Sequence, residues 1–505
     1  MSPLSVVPEI LPEAVVPDSG ITETTVERSR RDRALVHGVA WAAIARVAAQ
    51  VVTWAVTLIV ARILTPSDYG VVSAATVYLG LVGLLTEFGL ATAIISQRDL
   101  SKNAIAQLGG FSACLGVAAW IFTVVAAPLV ASLVGVPEVK RVLPVLGFAT
   151  AISSLNALPF ALLQKQLKFK VLSSFEILKA VVSATALLTF AMSGFGFWSL
   201  VLNEVLAVVV LAIALLWKTR YKISWPHIPT IKSSLSLSGL VLTSRLAWYT
   251  YSNADITVVS RVLGKTILGD YAMACNLTNL PSQKIAATLM SVTTGVLASV
   301  QNDKEELRRY FLRIVEALAL ILFPATIGLA LVAPELVRVL LGAKWEGAIP
   351  IMQALAFATA IRSMGPLCSQ VLLARLRAQV EMKYTVMSAI VLPIGFVVGS
   401  HYGAVGVALA WTALSAPLVA FQFWLTCSEI ELPISHLIGV LLRPSLAVGA
   451  MAAALVALRI SLTQAHVGAG PQLIALVAGG AVVYSSIVAT TMFARVRALT
   501  SLVRR

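Results

Sequence analysis

The chain has 505 residues, of which 58% are hydrophobic and 12% charged, and its mean hydropathy is +0.89; these values exclude an ordinary soluble globular protein. The net charge of +15 does not indicate a nucleic-acid partner, because the basic residues lie between apolar runs rather than in one patch. The apolar runs lack period-two alternation, which favours membrane-spanning helices over a transmembrane barrel.

Residues 1–33 differ from the rest of the chain, since four prolines alternate with acidic residues and no apolar face forms. We predict a disordered cytoplasmic tail there, without a cleavable signal peptide. Six apolar runs follow, each long enough to cross the hydrocarbon core as a helix. They are predicted at Val36–Leu64, Val71–Ser96, Gly109–Val134, Val142–Leu163, Val171–Ser193 and Phe197–Trp217.

Residues 218–234 are basic, contain two prolines and are predicted to form a cytoplasmic linker. The second set of spans is predicted at Leu235–Val262, Tyr271–Val300, Tyr310–Val332, Ala348–Ala374, Tyr384–Gly399 and Ala404–Cys427, and two more follow at Val440–Leu462 and Leu473–Phe493. The predicted architecture is therefore an all-α membrane protein of about 14 helices. It has an N-terminal six-helix lobe (34–217), a C-terminal six-helix lobe (235–427), and two additional helices with a basic tail (428–505).

Lys and Arg concentrate on one side of the predicted spans, at the end of the N-terminal tail, in the linker and at the C-terminus. Because basic loops stay in the cytoplasm, this bias predicts that both termini are cytoplasmic. An even number of spans agrees with that orientation.

An internal repeat relates the two sets of six helices. A shift of 199 residues lays the first span on the seventh and places Arg46 on Arg245. Beyond a short insertion, Asp68–Tyr69 is predicted to match Asp270–Tyr271. Repeats of six helices have the same orientation, which predicts a pseudo-two-fold axis along the membrane normal.

Ionisable side chains inside spans cost about 2.5 to 3.5 kcal/mol on insertion scales, and they normally face a partner or a water-filled cavity. Arg46 and Arg245 have no acidic residue three or four positions away. Either the two guanidiniums bind a multivalent anion together, or they pair elsewhere, with Asp255, Glu87 or a helix C-terminus. Asp255 and Glu87 are also candidates for a counter-ion or for coupling transport to an ion.

Lys284 and Arg362 also lack a local acidic partner and are the next candidates for binding the anion. Arg62 and Arg261 lie where the first helix of each half ends. For these two we predict snorkelling to the membrane interface.

No catalytic set emerges from the sequence. The five histidines lie at span ends or in loops without metal-ligand spacing, and the P-loop pattern GxxxxGK[ST] does not occur. We predict neither a metal site nor a cofactor, and a transporter rather than an enzyme.

Four short motifs occur in order along the chain: VARILTPSDYG at Val60–Gly70, FGLATAII at Phe88–Ile95, GFGFWSLV at Gly194–Val201 and GAKWEGA at Gly342–Ala348. They resemble the signatures of the polysaccharide transporters, the Wzx-like lipid-linked oligosaccharide flippases of the MOP superfamily, and in particular colanic-acid-type exporters. The resemblance covers residues 34 to about 425.

The resemblance implies a bacterial inner-membrane flippase that moves undecaprenyl-diphosphate-linked oligosaccharide repeat units across the membrane for exopolysaccharide or lipopolysaccharide biosynthesis. Transport would proceed by alternating access of the two lobes. Arg46 and Arg245 would take the place of the cavity arginines that related flippases carry in the first helix of each lobe. The implied partners are the lipid-linked oligosaccharide and membrane lipids, with a polysaccharide polymerase and chain-length or export proteins as further candidates.

Three alternatives stay open at this point. A cation-coupled efflux transporter for small drugs would share the two-lobe topology, but its cavity should favour acidic residues. A membrane glycosyltransferase or polysaccharide ligase is disfavoured by the short predicted external loops. A non-transporting scaffold protein of an export complex is the third.

Overall fold

The computed structural model of the chain describes residues 50–87, 101–165, 168–219, 224–227, 245–246, 248–286, 293, 297, 299–301, 303–375 and 377–491, and all regular secondary structure within them is helical. Ten of the described helices are long and apolar enough to cross a membrane, which makes the chain a multi-pass membrane protein. The total of about 14 spans stays a prediction, because parts of several predicted spans lie outside the described residues.

The described residues of the first half of the chain form six helices. They are α1 (Gln50–Ile63), α2 (Pro66–Glu87), α3 (Lys102–Val134), α4 (Val139–Lys165), α5 (Phe169–Met192) and α6 (Phe197–Thr219). We call the end of the bundle where α1 terminates the distal face. Residues 224–227 of the predicted linker lie at the opposite, proximal face, where the Ser224 amide donates to the Ala106 carbonyl near the start of α3 at 3.1 Å.

The second half repeats this up-and-down order. A helical stretch at residues 245–252, with residue 247 outside the described set, leads into the helices through a turn at Asn253. They are α7 (Ala254–Leu263), α8 (Lys265–Pro281, with a π-helical turn Ser282–Ala286), α9 (Lys304–Leu336, with a π-helical turn Val337–Leu341), α10 (Ala348–Arg362), α11 (Gly365–Ala374), α12 (Ala378–Ser400) and α13 (Gly403–Glu429). The last two are α14 (Ile434–Gln464) and α15 (Ala469–Thr491).

The predicted single span over 348–374 is interrupted inside the bundle. α10 ends at Arg362, and α11 begins at Gly365 with Pro366 in its first turn. Proline suits the first turn of a helix because its missing N–H would have no intrahelical acceptor there. A break at membrane depth is tolerated where protein or a water-filled cavity surrounds it, so the interruption marks an inward-facing part of this half.

The two halves meet where α2 crosses α8 at the distal face. A Cβ atom on Gly70 would lie 1.8 Å from the Lys265 carbonyl oxygen, and one on Gly269 would lie 1.7 Å from the Pro66 carbonyl oxygen. Small residues allow such backbone contact between membrane helices. Both helices begin earlier than the sequence predicts, at Pro66 and Lys265. At α2 the Thr65 and Asp68 side chains each accept a hydrogen bond from the other residue's backbone N–H, which caps the helix.

This crossing is reciprocal and supports the pseudo-two-fold relation of the halves. Pro66 is the first residue of α2 and lies against Gly269 of α8, and Lys265 is the first residue of α8 and lies against Gly70 of α2. Each glycine comes four residues after the first residue of its own helix. The pairs Pro66–Lys265 and Gly70–Gly269 keep the shift of 199 residues without a gap. The predicted insertion that matched Asp68–Tyr69 with Asp270–Tyr271 is therefore wrong.

The two C-terminal helices pack against α9 and against each other. The Arg459 guanidinium of α14 forms an ion pair with Glu335 of α9 at 2.9 Å, and the Glu335 side chain is buried. Beneath this ion pair lies an apolar groove of about 480 Å³ between α9, α14 and α15, lined by side chains that include Val332, Met451 and Leu476. The terminal helices therefore form a separate wall on the outer side of the second half.

Candidate functional site

The candidate site is the surface on which the two halves face each other, together with the polar groups that lie behind it in the second half. Two of the four recognised motifs meet at the distal end of this surface. The Trp345 indole N–H donates to the Ala61 carbonyl at 2.8 Å, and Lys344 donates to the Arg62 carbonyl at 2.5 Å. The Tyr69 ring packs edge-on against Trp345 with ring centroids 5.2 Å apart. The motif residues of one half thus seal against those of the other.

Arg62 and Arg261 belong to the same seal. Arg62 donates to the carbonyls of Val339 and Leu340, the latter at 3.0 Å, and Arg261 donates to the Ser132 carbonyl at 2.7 Å. Each guanidinium therefore binds the backbone of the opposite half. The predicted snorkelling stays a prediction, and the structure adds that both guanidiniums bind carbonyls near the end of a helix in the other half.

An ion pair outside the spans adds to the distal seal. Lys265, the first residue of α8, forms a short ion pair with Glu138 in the turn between α3 and α4. The hydrogen bond from Lys265 holds the pKa of Glu138 below its ordinary value, although partial burial opposes this effect. The Glu138 carboxylate therefore stays charged at neutral pH and continues to bridge the two halves.

Arg245 lies on the face of its helix that meets the first half. The Tyr249 hydroxyl, four residues further along, donates to the Val77 carbonyl of α2 at 3.1 Å. Residues four apart in a helix share a face, so Arg245 lies one turn proximal to this interlobe contact. Its side chain is exposed, and among the described residues it has no hydrogen-bond or ion-pair partner.

Lys284 lies at the interlobe surface as well. Its ammonium donates to the side-chain oxygen of Gln50 in α1 at 3.2 Å, which joins the second half to the first. Lys284 belongs to the π-helical turn that continues α8. π-Helical turns occur frequently at functional sites in helices.

Asp255 and Arg362, which the sequence also singles out, come together elsewhere, inside the second half. Asp255 is 4% exposed, and it accepts hydrogen bonds from the Trp411 indole at 2.6 Å and from the Tyr271 hydroxyl at 2.8 Å. The Arg362 guanidinium carbon lies 3.7 Å from the centre of a Trp411 ring. A cation over an indole face is attracted by the ring quadrupole. Trp411 therefore binds the Asp255 carboxylate through its indole N–H and the Arg362 guanidinium through its ring face.

The remaining predicted site residues are not placed. Arg46 lies outside the described residues, and for Glu87 the structure describes only the backbone, as the last residue of α2. The described residues contain no group of three or more His, Cys, Asp or Glu side chains that would hold a metal ion.

Sequence reasoning missed the roles of Trp345, Trp411 and Tyr271. Trp345 had a signal, since it belongs to a recognised motif, but the motif alone does not tell which residue it contacts. Trp411 and Tyr271 carry no pattern that distinguishes them from other aromatic residues of a membrane helix. Their role becomes apparent only in the structure, where both side chains donate a hydrogen bond to the Asp255 carboxylate.

The sequence of the chain is similar to those of known proteins. The model of a family described as "Polysaccharide biosynthesis protein" matches residues 59–350. The chain is 25% identical over 384 residues to the lipopolysaccharide biosynthesis protein WzxC of Escherichia coli K12, covering 74% of this chain and 77% of WzxC. It is 22% identical over 484 residues to the succinoglycan biosynthesis transport protein ExoT of Rhizobium meliloti, covering 94% and 96%.

Among solved structures, the lipid II flippase MurJ in an inward closed conformation superimposes with a TM-score of 0.71 at 14% identity, covering 89% of this chain and 98% of that one. The two-lobed helical fold, with the two extra C-terminal helices, is thus similar to the fold of that flippase. The chain belongs to the polysaccharide biosynthesis protein family. The resemblance of the four motifs to the polysaccharide transporters is therefore confirmed.

Proposed function

We propose that this transporter translocates an undecaprenyl-diphosphate-linked oligosaccharide across the bacterial inner membrane by alternating access, with both termini in the cytoplasm. The observation that carries the proposal is the presence of two cationic side chains, Arg245 and Lys284, on the surface between the lobes. Arg245 is exposed one turn from an interlobe hydrogen bond, and Lys284 reaches Gln50 across the same surface. A diphosphate needs such donors when it leaves water.

Arg46 extends this argument from the sequence. On the helix predicted over 36–64, Arg46 shares a face with Gln50, because the two are four residues apart. Gln50 is the residue that Lys284 contacts. A site built from Arg46, Arg245 and Lys284 would offer cations from both lobes to one anion.

The isoprenoid chain of such a cargo has to stay in an apolar environment throughout transport. The groove between α9, α14 and α15 offers one, with about 480 Å³ and a lining that is mainly aliphatic. Because the bilayer interior is itself apolar, the groove would hold the chain through packing contacts rather than through the hydrophobic effect. We propose a polysaccharide polymerase and chain-length or export proteins as the partners that receive the cargo.

The test is complementation of a bacterial strain that lacks its own oligosaccharide flippase. Arg46→Ala and Arg245→Ala should each abolish polysaccharide export while the protein still inserts, and Lys284→Ala should reduce it. Arg309→Ala is the matched control, because Arg309 is an exposed cation that lies over Tyr310 at the proximal end of α9. Normal export by both arginine variants would refute the assigned site.

A further inference from the structure

The contacts of Arg62 and Arg261 are equivalent under the internal repeat. Arg62 and Arg261 are related by the same shift of 199 residues that relates their helices. Their acceptors are equivalent too, because Ser132 precedes Gly135 by three residues and Val339 precedes Gly342 by three. Gly135 and Gly342 both have positive φ, at 73° and 95°, and both end the third helix of their half.

The acceptor carbonyls explain why arginine is suited to these positions. The last carbonyls of a helix have no intrahelical donor, and they carry the negative end of the helix dipole. Ser132 lies in the last turn of α3, and Val339 and Leu340 lie in the π-helical turn that ends α9. Each guanidinium thus caps the third helix of the opposite half.

Each cap is reinforced by a neighbouring contact that also crosses between the halves. On one side the Trp345 indole donates to the carbonyl of Ala61, the residue before Arg62. On the other side the hydroxyl of Ser260, the residue before Arg261, donates to the Val134 carbonyl at 2.8 Å. Positions 61 and 260 again differ by 199, so a second contact between the halves lies beside each arginine, although Ala61 accepts its hydrogen bond and Ser260 donates its own.

We propose that Arg62 and Arg261 are the two halves of a latch that holds the distal face of the transporter closed. The contacts join atoms of different halves, so they must all break when the halves separate at that face. Contacts within one half, such as the 2.9 Å ion pair between Arg338 and Glu346, are free to persist through the same movement. The latch rests on one part of the proposed function, alternating access, because that mechanism requires the halves to separate.

The test measures the distance between spin labels on the two halves at the distal face. Lys140→Cys in the first turn of α4 and Tyr402→Cys in the turn before α13 are both exposed positions for the labels. Cys114, the exposed native cysteine, is replaced by serine, whereas Cys368 and Cys427 are buried. The purified full-length chain in lipid nanodiscs gives the populations of closed and open states without any cargo.

Arg62→Gln and Arg261→Gln should each raise the ratio of open to closed state about tenfold, which corresponds to about 1.4 kcal/mol. The double variant should exceed either single variant. Arg338→Gln, which removes a cation from the same face without breaking a contact between the halves, should leave the distances unchanged. If a glutamine variant fails to fold, the lysine variant keeps the charge and should give a smaller shift in the same direction.

The latch is refuted if both single variants give the distance distribution of the parent or of Arg338→Gln. Because the measurement uses no lipid-linked oligosaccharide, its outcome is independent of the cargo. A shift of the distances together with normal export by Arg245→Ala would keep the latch and refute the proposed cargo site.

Discussion

The backbone contact between α2 and α8 gives a sharp prediction for the substitution Gly70→Ala. The added methyl group would lie 1.8 Å from the Lys265 carbonyl oxygen, whereas Cβ atoms essentially never approach another atom closer than 3.0 Å. The helices must therefore move apart by at least about 1.2 Å, the difference between these two distances. The neighbouring atom belongs to the backbone and cannot turn away as a side chain would.

The cost of this overpacking falls on the closed state alone, because the two backbones belong to different halves. Overpacking costs about 1 to 3 kcal/mol. With about 1.4 kcal/mol for each factor of ten, the ratio of open to closed state should rise by about 5-fold to 150-fold. Gly70→Ala should thus open the distal face more strongly than the loss of either latch arginine if the cost lies in the upper part of that range.

Spin-label distances across the distal face measure this population directly. Gly83→Ala is the matched control, because Gly83 lies on the same helix and no atom lies within 4 Å of the position its Cβ would take. The control should leave the distances unchanged, and alanine should favour its helix slightly. A Gly70→Ala protein that folds and keeps the parent distance distribution would refute the close packing of α2 on α8.

Two further predictions concern buried polar groups. Asp255→Ala removes the acceptor of Trp411 and Tyr271 and leaves two buried donors unsatisfied, which should lower the free energy of unfolding by about 2 to 6 kcal/mol. Thermal unfolding in detergent measures this loss. An unchanged unfolding midpoint would contradict the hydrogen-bonded cluster. Arg459→Met leaves the buried Glu335 carboxylate without its ion pair and should cost about 3 to 5 kcal/mol, and adding Glu335→Leu should restore most of that loss in the same assay. Failure of the double variant to recover would mean that the ion pair is not what fastens α14 to α9.

The sequence was sufficient for those features that depend on local composition. Apolar runs of the right length predict membrane helices, and the described residues contain ten helices long and apolar enough to cross a membrane. The interruption after Arg362 also had a local signal, because Gly365–Pro366 follows it directly. Hydropathy alone does not register such a break, since the run over 348–374 is apolar on average despite Arg362.

The contacts that seal the two halves together could not be predicted from the sequence, because their acceptors are backbone carbonyls. Arg62 finds its acceptors 277 and 278 residues away, and Arg261 finds its acceptor 129 residues away. A carbonyl group is present at every position, so no residue type marks the one that will be used. The sequence shows that the two arginines occupy equivalent positions. It does not show that each one caps the third helix of the opposite half, because that contact depends on where α3 and α9 end.

The most direct test of the central claim uses the purified chain in proteoliposomes that carry a fluorescent undecaprenyl-diphosphate-linked oligosaccharide in both leaflets. A membrane-impermeant reductant then destroys the label in the outer leaflet, and any further loss of fluorescence reports translocation. The proposed function predicts that vesicles with the parent chain or with Arg309→Ala lose fluorescence beyond the outer leaflet, whereas vesicles with Arg245→Ala stop where empty vesicles stop. Loss by the parent chain no greater than that of empty vesicles, or equal loss with Arg245→Ala, would contradict it.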